Sequence, residues 1–256
     1  MRVIAFTNQK GGVGKTTTAA NLGAALADMG HKVVLVDIDP QGNLTVSCGV
    51  RAHELEATIY EVLKEQATIS DVLHQVDRPN GNLYLVPANL ALSAAETELS
   101  AKPGREYLLK EALQELDQRC DFILIDCPPS LGLLTINALA AADGFIVPLA
   151  SEFLALYGTS QLMQIVGVVK KRLNPQLEMA GVVITQFDGR KVHCRQIVEQ
   201  IQEHFGDKVF NTMIRSNVSL TEAPSFGQDI FNYKLKSPGA EDYKALAEEL
   251  LKEARV

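Results

Sequence analysis

A doubly wound, mainly parallel α/β sheet flanked by helices is the fold class this sequence predicts, on three observations. Short β-branched runs alternate with longer segments of helical period. Several of those runs, such as Val33-Val34-Leu35-Val36 and Phe122-Ile123-Leu124-Ile125, are apolar throughout, as strands covered on both faces must be. A glycine-rich turn joins the first run to the first helical segment. The 256 residues, 46% apolar and 21% charged, are enough for one domain over 1–256 with a full core.

Strands are predicted at residues 2–7, 32–37, 82–86, 121–126, 144–148, 179–185 and 208–214. The first helix is expected over 16–29, where Ala19, Ala20, Leu22, Gly23, Leu26 and Ala27 share a face and Gly30 supplies the stop. The other helical segments supply the crossovers, and residues 51–81 give no clear element. In a doubly wound sheet, ligands gather at the carboxyl ends of the strands. The loops after Thr7, Asp37 and Asp126 are therefore expected to meet around one site.

Bulk properties narrow the function classes. No stretch reaches the roughly 18 uninterrupted apolar residues of a membrane span, and the N-terminus enters a strand where a cleavable signal would carry its apolar region. A cytoplasmic protein is expected. Cys48, Cys120, Cys127 and Cys194 form no close pair, so neither a zinc site nor a disulfide framework is indicated; small buried residues are. A formal net charge of -7 excludes a generally cationic surface, so any nucleic-acid contact must come from a local patch.

The chemistry concentrates in three segments. Lys10-Gly11-Gly12-Val13-Gly14-Lys15-Thr16-Thr17 follows a strand and opens a helix, the context of a phosphate-binding P-loop for ATP and magnesium. Its glycines let the backbone approach phosphate oxygens, and the helix N-terminus turns free amides towards them. Lys15 provides a cation for the β and γ phosphates, and Thr16 a hydroxyl for Mg2+. The usual pattern has a glycine five residues before Gly14; here Gln9 stands there, followed by the additional Lys10.

After the second strand comes Asp37-Ile38-Asp39-Pro40-Gln41-Gly42-Asn43, and period-two geometry places both aspartates on one side as the chain leaves the sheet. Two such close carboxylates call for a cation, which makes Asp37 a candidate metal ligand. The run Ile123-Leu124-Ile125-Asp126-Cys127-Pro128-Pro129-Ser130 delivers Asp126 to the same end of the sheet, as a Walker B segment does for magnesium. Its two prolines stiffen a loop suited to sensing the γ phosphate.

Together these segments resemble the ParA/Soj branch of the deviant Walker A ATPases. The resemblance continues through Leu133-Leu134-Thr135-Ile136-Asn137-Ala138-Leu139, Phe187-Asp188-Gly189-Arg190 and Asn217-Val218-Ser219-Leu220-Thr221-Glu222-Ala223-Pro224-Ser225. It implies the P-loop NTPase fold and a homodimer in the ATP state, with Lys10 reaching the partner's phosphates. Lys10, Lys15 and Asp39 are then the catalytic residues, Asp39 positioning the attacking water, and Asn217 lies on the adenine side. A ParB-like activator and nonspecific double-stranded DNA are the implied partners, and a nucleoid location follows.

For DNA the candidates are Arg190, Lys191, Arg195 and Arg215, within a stretch of nearly balanced charge. Relatives usually carry arginine at two positions that are Ser216 and Ser219 here. Two other readings compete with partition or positioning of chromosome, plasmid or other cargo. A MinD-like membrane-surface regulator would want a basic amphipathic terminal helix, whereas residues 243–253 carry Glu248, Glu249 and Glu253 and read as a core-packing helix. An iron-sulfur reductase component would want a cluster-ligating cysteine pair near the P-loop core.

Overall fold

The computed structural model describes residues 1–117, 119–152, 156 and 158–253. Its strands are β1 (Arg2–Phe6), β2 (Val33–Asp37), β3 (His74–Gln75), β4 (Leu83–Val86), β5 (Phe122–Asp126), β6 (Gly144–Ala150) and β7 (Glu178–Thr185). They form one sheet in the order β3-β4-β2-β5-β1-β6-β7, parallel throughout except for β3 against β4. β1, β2 and β5 are central and in register, so that Phe6 and Asp37 both pair with Asp126.

Successive residues of these strands feed opposite layers, which is why no polar alternation marks them. Val3, Ala5, Val34 and Val36 pack on one side, under the helices Leu133–Ala141 and Thr159–Arg172. Ile4, Phe6, Val33 and Leu35 pack on the other, against α1 (Lys15–Asp28) and the C-terminal helix Pro238–Glu253. Gly23 of α1 sits so close to the sheet that a Cβ there would lie 2.6 Å from Leu35 Cδ2. The C-terminal helix spends its apolar face on this core, with Tyr243, Leu246, Ala247 and Leu250 buried. No helix among the described residues is long and apolar enough to cross a membrane.

Six of the predicted strands are present with shifted ends; the strand expected at 208–214 is not. That segment meets β7 and its continuation through the isolated bridges Val182↔Val209 and Phe187↔Arg215 and a bond from the Ile214 amide to the Ile184 carbonyl at 2.8 Å, without a continuous ladder. Between them the Glu249 carboxylate accepts from the backbone amides of Asn211 (2.6 Å) and Thr212 (2.9 Å). Those amides are therefore not spent on a ladder. The seventh strand is instead β3, in the unassigned region 51–81. That region also holds the short helices Ile59–Leu63 and Ile69–Val72, each opened by a capping box, Thr58 with Glu61 and Thr68 with Asp71.

The turn between β3 and β4 is fastened by Arg78, whose side chain is 1% exposed. It pairs with Asp28 at 2.6 Å, at the end of α1, and with the buried Asp229. Removing the cation strands Asp229 in the interior. Arg78→Ala is expected to lower unfolding free energy by about 3 kcal/mol, the low end for a broken buried pair because Asp28 is partly solvated; urea denaturation checks it.

Candidate functional site

Three loops leave the carboxyl ends of β1, β2 and β5 side by side and line a cavity of about 570 Å³. Gly11, Gly12, Gly14, Lys15, Thr16 and Thr17 form one wall, and Asp39, Gln41, Asn43 and Pro129 contribute others. Gly12 and Gly14 take φ of 73° and 85°, the left-handed region open to glycine, and Gly14 caps α1. The loop's shape is set further by Asn8, which the sequence did not single out. Asn8 Nδ2 donates to the Pro148 carbonyl at 2.7 Å, and Asn8 Oδ1 accepts from the Lys10 amide at 3.0 Å.

The two lysines of the loop occupy different settings. Lys15 is buried and its Nζ donates back to the Lys10 carbonyl at 3.3 Å. Burial holds its pKa below the ordinary lysine value, against the opposing pull of Asp126, Cys127 and Asp39. Lys10 is 37% exposed, with its ammonium 3.3 Å from Glu152 Oε2.

Thr16 Oγ1 donates to Asp126 Oδ2 at 2.6 Å. Asp126 Oδ1 is buried with no hydrogen-bond partner among the described residues, and burial, then the nearby Asp37 charge, push this carboxyl well above the usual range. A hydroxyl and an orphaned carboxylate oxygen make a hard oxygen donor set, which fits Mg2+. Asp37 is placed differently from the expectation of a metal ligand: both of its oxygens are engaged by the protein. Oδ1 accepts from the Asp39 amide at 3.1 Å, and Oδ2 from the Thr45 amide at 2.8 Å and hydroxyl at 2.7 Å. Burial raises its pKa to about 6 despite those bonds. Thr45, another residue the sequence reading missed, also accepts from the Ala88 amide at 2.9 Å. Asp37 thus anchors Asp39 and the helix α2 (Asn43–Ser47) to the sheet.

Asp39 is buried, and its Oδ1 accepts from the Gln41 amide at 3.0 Å. An adjoining cavity of about 470 Å³ shares Gly14, Thr17, Gln186 and Pro224 with the first and is lined by Asn217 and Val218. Asn217 Oδ1 accepts from the Ser219 amide at 2.9 Å, and Nδ2 is a buried donor with no partner among the described residues. A base with a ring-nitrogen acceptor suits that position.

The four basic candidates lie outside these cavities or at their rim. Arg190 forms two 2.9 Å bonds to Asp188, whose pKa falls to about 2 chiefly through them, and Lys191 lies 3.9 Å from the same carboxylate. Arg195 donates to the Gly189 carbonyl at 2.6 Å. Arg215, by contrast, is saturated by acid: its guanidinium lies 2.7 Å from Asp242 and 2.9 Å from Glu241, which raise its pKa further. Cys120, Cys127 and Cys194 are buried free thiols, as their scatter implied, and Cys48 is partly exposed.

The chain is similar to known proteins over nearly its whole length. A family described as an AAA domain matches residues 1–179. The chromosome partitioning protein ParA of Myxococcus xanthus is 47% identical over 251 residues, covering 98% of this chain and 88% of that protein. The sporulation initiation inhibitor protein Soj of Bacillus subtilis is 47% identical over 249 residues, covering 97% and 98%. Among solved structures, a Mycobacterium smegmatis protein described as cobyrinic acid a,c-diamide synthase, with ADP and magnesium bound, superposes with TM-score 0.88 at 40% identity. It covers 100% of this chain and 96% of that one. The septum site-determining protein MinD of Pyrococcus horikoshii, complexed with Mg-ADP, gives TM-score 0.79 at 28% identity over 99% and 97%.

Proposed function

The chain belongs to the ParA/Soj family of P-loop ATPases, whose cofactors are ATP and Mg2+, and we propose that it is a partition or positioning ATPase working as an ATP-dependent sandwich dimer. One P-loop ATPase domain over 1–256 carries the cycle. The observation behind this reading is the contrast between Lys15, buried within its own loop, and Lys10, partly exposed and paired with the surface carboxylate of Glu152. A second cation is useful to phosphoryl transfer, and supplying it from another subunit couples turnover to association.

Within one subunit, the loop amides and Lys15 hold the β and γ phosphates, and Thr16 and Asp126 are the residues that would hold magnesium, which when bound would supply neutralisation of the charge on the phosphates and on Asp126. Asp37 fixes the backbone of Asp39, and Asp39 orients the attacking water. Asn217 Nδ2 donates to the adenine ring. On dimerisation Lys10 exchanges Glu152 for the partner's phosphates. Hydrolysis removes that bond and releases the dimer.

We assign a nucleoid-associated, cytoplasmic location, with a ParB-like activator and nonspecific double-stranded DNA as partners. Arg190, Lys191 and Arg195 are the residues favoured for phosphate contact. Arg215 is less suited, because DNA would have to displace two carboxylates from it. The helix Pro238–Glu253 spends its apolar face on the core and so offers none to a membrane surface.

Lys10→Ala tests the cross-subunit role. The variant is expected to bind ATP within about twofold of wild type, since Lys15 and the loop are intact, yet to sediment as a monomer with ATP and magnesium. Undiminished ATP-dependent dimerisation would exclude the role.

A further inference from the structure

Gln186 is a non-glycine residue with φ of 54°, a left-handed conformation that a side chain with a Cβ seldom takes. The bonds around it enforce that conformation. The Ser151 amide donates to the Thr185 carbonyl at 3.0 Å, and Ser151 Oγ donates to the Gln186 carbonyl at 3.0 Å. On the other side the Phe187 amide donates to the Ile214 carbonyl at 3.0 Å. Such strain persists where surroundings over-determine the backbone, and it clusters at functional sites.

The outcome of this turn is a double contact with the P-loop. Thr185 Oγ1 donates to the Val13 carbonyl at 2.8 Å, and Gln186 Nε2 donates to the Gly12 carbonyl at 2.6 Å. Because a trans peptide unit is a rigid plane, its carbonyl and the following N–H point in opposite directions. Pinning the Gly12 carbonyl towards the end of β7 therefore turns the Val13 N–H away from it. Pinning the Val13 carbonyl does the same for the Gly14 N–H. Both glycines of this stretch, at φ of 73° and 85°, have backbone torsions that glycine alone adopts without cost, so little within the loop itself holds those planes.

We propose that Gln186 is a positioning residue for nucleotide binding: with Thr185 it braces the P-loop carbonyls so that the Val13 and Gly14 amides stand preformed for the phosphates. This rests on the reading of residues 11–17 as the phosphate cradle. Neither residue carries the chemistry; each acts through the loop, from a strand end more than 170 positions away.

The test pairs Gln186→Gly with Gln186→Lys. Glycine tolerates the left-handed backbone and deletes only the donor, whereas lysine restores a donor long enough to reach the Gly12 carbonyl. Dissociation constants for Mg-ATP are measured by titration beside thermal unfolding midpoints of the nucleotide-free proteins. Gln186→Gly is expected to keep its midpoint within about 2 °C while its dissociation constant rises about fivefold, the worth of one uncharged hydrogen bond. Gln186→Lys is expected to return within twofold of wild type. Unchanged affinity in Gln186→Gly, or a loss that Gln186→Lys does not restore, overturns the proposal. Lys15→Ala is measured in the same series: if it too binds normally, the cradle reading has failed, and if it alone loses affinity, only the role of Gln186 has.

Discussion

Lys15→Ala is expected to weaken Mg-ATP binding by at least about 100-fold, near 2.7 kcal/mol. The side chain is buried beside Asp126 and Asp39, and its ammonium is the cation most deeply set in the nucleotide cavity. Its loss removes a charge-assisted contact to the phosphates and also leaves Asp126 with one less compensating charge in a desolvated site. Calorimetric titration measures the affinity directly. Thermal unfolding gives a second reading, because a ligand at 100 times its dissociation constant stabilises the wild type by about 2.7 kcal/mol and should leave the variant almost unmoved. Retained affinity would mean that phosphates are held elsewhere.

Asp39→Ala is expected to slow ATP hydrolysis by about 10²- to 10⁴-fold while leaving nucleotide affinity within about threefold, as loss of a water-orienting group does. Asp39 is held from three sides: its amide bonds Asp37 Oδ1, its Oδ1 accepts the Gln41 amide, and its carbonyl accepts the Gly42 amide at 2.9 Å. A carboxylate so fixed at the wall of the cavity suits the water-orienting role proposed for it. Phosphate release under single-turnover conditions separates this step from binding. Turnover at the wild-type rate would remove Asp39 from the mechanism.

The elements that were legible in the sequence are those with local signals. Six strands announced themselves by unbroken apolar runs, and the P-loop by glycines between a strand and a helix. The strand expected at 208–214 is interrupted because Glu249, some 38 residues on, takes the Asn211 and Thr212 amides in its middle, while the Phe210 and Ile214 amides still reach β7. β3 escaped notice because two residues cannot display a period. In the site, Lys15, Thr16, Asp39 and Asp126 were visible as motif members. Thr45, Ser151, Thr185 and Gln186 were not, since their roles consist of bonds to distant loops and no spacing encodes them. Asp37 was visible as a residue but not in its role, because only the fold brings the Thr45 amide and hydroxyl onto its carboxylate. Arg215 likewise reads as a free cation until the C-terminal helix supplies Asp242 and Glu241.

The proposed cycle turns on an ATP-locked dimer that travels on DNA. Sedimentation of Asp39→Ala with ATP and magnesium, with and without random-sequence duplex DNA, across a salt series tests both parts together. A dimer is expected that co-sediments with DNA at low salt and is released steeply as salt rises, the mark of phosphate contacts. A monomer under these conditions, or a dimer indifferent to DNA at every salt concentration, would contradict that cycle.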